Sequence, residues 1–403
     1  VIAALAIVGV LVRPFRIDEA WWAGAGALGL LAIGAISPPA ALAALGRGVD
    51  VYLFLIGMMG LAEYARIGGL FAWVATVAVR SARGSRLRLL AIVYGAGIIT
   101  TALLSNDATI VVLTPAVIDA LRRCEAPAPA YVIACALVAN AASFVLPISN
   151  PSNLLVFAGG MPALGTWLAT FGAASIAALG VTFAVLAWWF RRDLSGTSPA
   201  DDAAVATPRV QTTIMLCLAA AVIVATSALQ GPLGTVTFAC AAVALLSAAR
   251  QRREDGAAIV QRIAWPIVAL TASLFVIVAA VNEHGGRDAT RAVLAWCASF
   301  AEPWSRVAIG FVIAAASNVA NNLPVGLSLG ETLPHAHATA TATHAALVGV
   351  NLGPNASVNG SLATLLWLAI VRREGIGVSA WRFAAVGTAA TVPALLAALL
   401  LLG

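Results

Sequence analysis

The chain has 403 residues, of which 61% are apolar and 10% charged, with a mean hydropathy of +0.96. A soluble domain carries roughly 25% charged residues, so this chain cannot clothe itself for water and its solvent is lipid. All 23 basic residues are Arg, which excludes a Walker-type phosphate loop with its Lys, and in a membrane chain the net charge of +6 serves orientation, so no nucleic-acid partner is expected.

Apolar runs bounded by Arg, Gly and Pro predict an all-α polytopic membrane protein. Residue 1 is Val and the first run, Val1–Val12, is short, so the start is read as lying within a first helix, with no signal peptide. Trp21–Ile36 and Val49–Ala65 follow, then a shorter run, Leu70–Val79, and the Arg-rich stretch Arg80–Arg88. Leu89–Leu121 is apolar but carries Ser105-Asn106-Asp107 in its middle. Tyr131–Phe157 is interrupted between Pro147 and Asn153, and Met161–Phe190 closes the first half. Residues 193–208 form the one polar, low-complexity linker.

The second half repeats this order. Gln211–Ala228, Val236–Ala248 and Ile263–Val281 precede a short run, Ala289–Phe300. Val307–Leu329 is broken from Ser317 to Pro324, Ala338–Ile370 is broken from Asn351 to Asn355, and Trp381–Leu402 ends the chain. Interruptions at corresponding places in two halves point to a transporter site. The expected domains are a repeat over 1–192 (re-entrant hairpin 89–121, broken helix 131–157) and a second over 209–403 (hairpin 307–333, broken helix 338–370). With each hairpin entering and leaving on one side, each half has five crossings and the repeats are inverted, giving about ten crossings in all. All arginines but Arg47, Arg287, Arg291 and Arg306 then fall on one side, together with the linker. A single crossing over 89–121 would put Arg80–Arg88 and Arg122-Arg123 on opposite faces, against the positive-inside rule. The plasma or inner membrane is the expected location, with the linker cytoplasmic.

Unwound backbone survives at membrane depth only around a polar cavity. The candidate solute-binding residues are accordingly Ser105, Asn106, Ser149, Asn150, Ser317, Asn321, Asn322, Gly353 and Asn355, where helix ends offer N–H dipoles to hydroxyls or oxyanions. The bland alternative is a set of capped proline kinks, which four breaks paired across a repeat weigh against. Asp107 alone among the 17 acidic residues lies deep in an apolar stretch. An ionised carboxylate is costly there, so Asp107 is the candidate for binding and releasing a coupled proton, while capping the following half-helix is a compatible role. Glu63 and Arg66 have the spacing of a structural ion pair. His335 and His337 form an HxH without a carboxylate cluster, and His344 precedes the second break, so neither a metal site nor a second proton site is favoured. Cys124, Cys135, Cys217, Cys240 and Cys297 are scattered and read as core residues, without disulfides or a cofactor. HExxH and GxSxG are absent, so an enzyme has no motif behind it.

These motifs carry a resemblance. The run Leu104-Ser105-Asn106-Asp107-Ala108 with Leu113-Thr114-Pro115 resembles the AND…LTP signature of the arsenite efflux permeases of the ion transporter superfamily. Asn321-Asn322-Leu323-Pro324 is similar to that family's NN-x-P, and Gly349–Asn355 with Gly360–Trp367 is the most specific match. The resemblance implies a core that moves against a scaffold to give alternating access. It also implies export of arsenite or antimonite in exchange for protons, sometimes with a separate soluble ATPase docked on the cytoplasmic side. A site of amides and hydroxyls without Arg suits the uncharged trihydroxide. Two alternatives stay open: a sodium/proton antiporter or organic-anion transporter of the same superfamily, and a non-transporting scaffold that recruits a partner through residues 193–208.

Overall fold

The computed structural model describes residues 1–12, 17–199, 207–335 and 338–403. Arg13, Arg16, His337 and the middle of the linker, 200–206, lie outside the described residues. Six described helices or helical runs are long and apolar enough to cross a membrane by themselves, and a seventh results if Pro38–Arg47 and Val49–Ile67, bent by 45°, count as one span. The chain is a multi-pass membrane protein.

In chain order the first half comprises α1 (Ile2–Val12), α2 (Glu19–Ala32), α3 (Pro38–Arg47), α4 (Val49–Ile67), α5 (Leu70–Ala82) and α6 (Arg86–Leu104). Next comes α7, which starts as Asn106–Ala108, passes through a π-helical turn at Thr109–Leu113 and continues as Thr114–Arg123. It is followed by α8 (Ala128–Ala141), α9 (Pro151–Val156) and α10 (Leu164–Trp189). The second half holds α11 (Val210–Ala228), α12 (Leu233–Gln251), α13 (Arg253–Arg262), α14 (Trp265–Val281), α15 (Arg287–Ala298), α16 (Trp304–Ala320) and α17 (Asn322–Thr332). It ends with α18 (Ala340–Leu352), α19 (Leu362–Arg373) and α20 (Ala380–Leu400). Two of these helices differ from the expectation. A prolyl start capped by Ser37 makes α3, which bends into α4, and the polar stretch after α12 is the short helix α13.

Contacts cross between the halves. α4 packs on α12 and α14 packs on α2, while α10 lies against α20. Within each half the arm before the polar tip lies on the first part of the broken helix, α6 on α8 and α16 on α18. Between the halves α9 lies on α17 and α19 touches the π-helical turn of α7. Every residue of α8 from Ala130 to Ala141 is buried, as is α18 from Ala345 to Leu352. Helices apolar on all sides belong in the interior, and these two form it.

The breaks have local causes. At Ser105 (φ 84°, ψ 161°) and Asn321 (φ 72°, ψ 150°) the chain adopts nearly the same conformation, one that L-residues rarely enter. It ends α6 and α16 and starts α7 and α17 at a new angle. The two ends of the α6–α7 segment come back together, since Gly84, Ser85, Arg86 and Cys124 line one small cavity. The Arg86 guanidinium there donates to the Asp193 carbonyl and the Ser198 hydroxyl, which ties the start of the linker to this end. In the broken helices Pro147 and Pro151 bracket an extended Asn150, and Gly353-Pro354 opens two 3₁₀ turns before Ser361 starts α19. The second break therefore reaches beyond Asn355, as far as Ser361.

The positive φ at Ser105 stores roughly 1–3 kcal/mol. Ser105→Gly should raise the melting temperature in detergent, and Ser105→Val, bulky and β-branched, should lower it. Equal melting of the three proteins would show that the tip is unstrained.

Candidate transport site

Four half-helices begin at one small cavity. It is lined by Asn106 and Asp107 at the start of α7, Asn150 and Pro151 at the start of α9, Asn322 and Leu323 of α17, and Ser361, Leu362 and Ala363 of α19. Leu55 of α4 and Ile267 of α14 close it from the other side. Helix starts carry unpaired N–H groups and partial positive charge. Each start keeps a local cap. The Asn106 side-chain Oδ1 accepts from Asp107 N (3.0 Å), that of Asn150 from Ser152 N (2.9 Å) and that of Asn321 from Leu323 N (3.3 Å), and the Ser361 hydroxyl accepts from Thr364 N (3.2 Å). No Arg lines the cavity among the described residues, and Asp107 is its one acidic group.

The candidate residues thus separate. Asn106, Asp107, Asn150 and Asn322 face the cavity. Asn321 shapes it from behind, donating to the Asn359 carbonyl. Ser105 is the buried turn itself. Ser149 accepts from Leu146 N and so fixes the first break. Ser317 is fully buried with no partner for its hydroxyl. Gly353 lets the second break lie directly on Ala314 of α16, where a Cβ would collide at 2.5 Å. Asn355 accepts from the Asn140 amide (3.0 Å) and donates to the Leu137 carbonyl (2.8 Å). Ser361 lines the cavity without having been singled out in the sequence, although its place as an N-cap before an apolar run matches that of Asn150.

Behind the cavity a chain of asparagines joins the two broken helices. The Asn150 amide donates to Asn351 (2.8 Å), and the Asn351 amide donates to Asn153 (2.8 Å). The Asn153 amide in turn reaches the carbonyls of Ser143, Leu146 and Pro147, those freed by the first break. A buried polar network is stable when every member is satisfied.

The site cavity measures about 10 Å³, room for one water. Larger spaces lie on either side of it along α4. One turn from Leu55, at Val51, a chamber of about 230 Å³ is lined by Arg47, Asp50, Leu154, Leu327 and Glu331. One turn the other way, at Met59, a cavity of about 30 Å³ is lined by Glu63, Asp107, Val111 and Arg262. At 1.5 Å per residue the three are spaced by roughly 6 Å, and Asp107 borders two of them. Arg47 pairs with Glu331 at 3.1 Å across the large chamber. His344 packs between Phe157 and Phe171, away from the cavity lining. Among the described residues no cluster of His, Cys, Asp or Glu could hold a metal ion.

The comparisons agree with a membrane transporter. The sequence profile of the citrate transporter family (CitMHS) matches residues 3–354. The arsenical pump membrane protein of Escherichia coli K12 is 25% identical over 98% of this chain and 95% of that protein. That of Yersinia enterocolitica is 28% identical over 81% of this chain and 80% of its own length. The crystal structure of the Alcanivorax borkumensis YdaH transporter superposes with a TM-score of 0.54, at 16% identity, over 90% of this chain and 86% of that one, which is a likeness of fold.

Replacing Asn351 by Leu leaves the Asn150 amide and the Asn153 carbonyl unpaired in the interior, at about 1–3 kcal/mol for each group. Asn351→Leu should melt well below the wild type in detergent and reach the membrane in smaller amounts. Wild-type melting would mean that the chain of asparagines carries no load. With its four half-helix starts gathered on one polar cavity, the chain is a membrane transporter that belongs to the citrate transporter family.

Proposed function

We propose that this transporter exports arsenite or antimonite, as the neutral trihydroxide, in exchange for protons. The carrying observation is the site itself: four helix starts, three amides, a serine and a single carboxylate, with no Arg among the lining residues. Helix N–H groups and amides bind the oxygens of a polyhydroxyl solute, and ionised Asp107 accepts from one of its hydroxyls. A proton on Asp107 removes that acceptor, so solute and proton compete for one site and cross in opposite directions. The names of the arsenical pump relatives support the same solute. A site of about 10 Å³ is too small for an arsenic atom with three hydroxyls, so loading requires the half-helices to move away from Leu55 and Ile267. Alternating access of such a core against α4 and α14 supplies that movement.

The topology in this reading is two inverted repeats, 1–192 and 209–403, with re-entrant hairpins at Ser105 and Asn321. The crossed packing of α4 on α12 and α14 on α2 supports it, as do the matching dihedrals of the two tips. The linker 193–208 and most arginines then face the cytoplasm, where a soluble ATPase would dock, and the protein sits in the plasma or inner membrane.

The helix starts favour a second reading. Converging positive dipoles also suit an organic anion such as citrate, in line with the family's description. Asp107 facing the same cavity opposes it. Proteoliposomes decide between the two. Arsenite uptake that citrate does not inhibit supports the first reading; citrate uptake without arsenite flux, or sodium-dependent exchange alone, overturns it.

Two variants test the mechanism. In everted vesicles with an imposed pH gradient, Asp107→Asn should lower arsenite accumulation about tenfold or more, equivalent to ~1.4 kcal/mol or more of lost coupling, while exchange continues at a reduced rate. Wild-type accumulation would place the coupled proton elsewhere. A variant with all five cysteines replaced should still export arsenite, because none of them lines the site cavity. A well-expressed Cys-free protein without export would mean that thiols, and not hydroxyl recognition, bind the solute.

A further inference from the structure

The inner cavity, about 30 Å³, has room for roughly two waters and none for the solute. Its polar walls are Asp107 on α7, Glu63 on α4 and Arg262 at the end of α13. A carboxylate from the site and a second carboxylate therefore face one space that water can bridge, and the remaining lining is apolar. Glu63 is only 5% exposed on an apolar helix, a costly place for an acid without a task. Arg66, one turn on, donates from Nε to Glu63 Oε2 at 2.6 Å, and the Glu63 side chain lines the cavity as well. An ion pair on one helix needs no cavity, and it does not need Asp107 on the opposite wall.

We infer that Glu63 is the inner-side acceptor of the coupled proton, reached from Asp107 through water in this cavity. The inference rests on the proton-carrying reading of Asp107. The Asp107 carboxyl passes its proton to a bridging water, and that water gives a proton to Glu63 Oε1. Asp107 is left ionised and ready for solute, and Glu63 is neutral. Glu63 then gives the proton on to the cytoplasm, and the Glu63–Arg66 pair closes again. Other charges on the packed elements are engaged or remote. Asp50, at the far end of α4, accepts from Gly234 N, and Tyr64 meets the Ser247 hydroxyl; Asp255 of α13 pairs with Arg209, and Arg253 and Glu254 beside it are exposed; Tyr94 of α6 donates to the Leu179 carbonyl; Arg80 of α5 and Arg250 of α12 are exposed; and α14 carries no titratable residue. Solute and proton then use different faces of Asp107. The large chamber beside Arg47 and Glu331 suits the solute, and the small cavity beside Glu63 passes only water and protons.

The test uses the full-length protein in everted vesicles, with arsenite as solute and two readouts: exchange without a pH gradient, and accumulation with one across a range of pH. Glu63→Gln should keep exchange near the wild-type rate and lose most of the gradient-driven accumulation, with its pH dependence flattened. Glu63→Asp should restore part of the accumulation. Arg66→Gln breaks the same ion pair but keeps the carboxylate, and it should remain coupled. If Arg66→Gln loses accumulation as fully as Glu63→Gln and Glu63→Asp rescues nothing, the pair is only structural and the inference is overturned. Loss of coupling in Asp107→Asn together with full accumulation by Glu63→Gln overturns the assignment of Glu63 alone. Full accumulation by Asp107→Asn overturns it together with the reading of Asp107.

Discussion

Peptide groups released inside a membrane must find partners within the protein, and the architecture follows from how this chain supplies them. A broken helix frees carbonyls on one side of the break and N–H groups on the other. The freed carbonyls of the first break are taken by the amide of one residue, Asn153, which Asn351 of the other half holds in place. Those near the second break are engaged by Asn318, which donates to the Gly353 carbonyl. The N–H groups are left facing the cavity, partly capped. The side chains that repair the break and those that face the cavity are the same residue type a few positions apart. A short stretch such as Asn150–Asn153 serves both needs.

That division explains what the sequence discloses. The breaks are legible because Pro, Gly and Asn interrupt otherwise apolar runs, and Asp107 stands out because no other acid lies so deep in one. Which asparagine faces the cavity is not legible locally. Asn150 and Asn355 each lie beside a proline at a break, yet Asn150 reaches the cavity while Asn355 is consumed by Asn140 and the Leu137 carbonyl. The difference depends on which helix packs alongside, and that is fixed by contacts more than 200 residues apart in sequence. Ser361 was hidden for the converse reason: it lies beyond the Gly-Pro that marks the break, after a second 3₁₀ turn that no helix-breaking proline announces. The helices α3 and α13 were likewise masked, by a pair of prolines and by a run of charge that both read as loop.

The two tips share one backbone conformation and carry different chemistry. Ser105 and Asn321 make the same turn, and the residues after them, Asn106 and Asn322, both face the cavity. One position further the halves diverge, with Asp107 in the first and Leu323 in the second. A carboxylate at both places would put two like charges on one small cavity, each raising the cost of the other. A leucine at both would leave four positive helix starts with no counter-charge. A single acid balances the helix starts without a like charge on the same cavity. The asymmetry leaves one counter-charge on the cavity, and the two matching turns frame it.

In the alternating access proposed above, the spacing of the three cavities along α4 would set the size of the movement. Val51, Leu55 and Met59 are successive turns of one helix, and each borders a different space. A shift of the half-helices by about one turn, roughly 6 Å, would carry the site from the level of one chamber to that of the next. The close approach of α17 to α9, where Gly330 lies against the Leu155 carbonyl with no room for a Cβ, ties those two half-helices into one body. Glu331 extends from that body to Arg47 on α3 and accepts from the Asn282 amide at 2.6 Å, polar contacts that would have to part in such a movement. The apolar contacts of Leu55 and Ile267 with the site slide at little cost, because they are neither directional nor hydrogen-bonded. In that cycle the barrier would be concentrated in a few polar contacts at the chamber mouth, Glu331 with Arg47 and with Asn282.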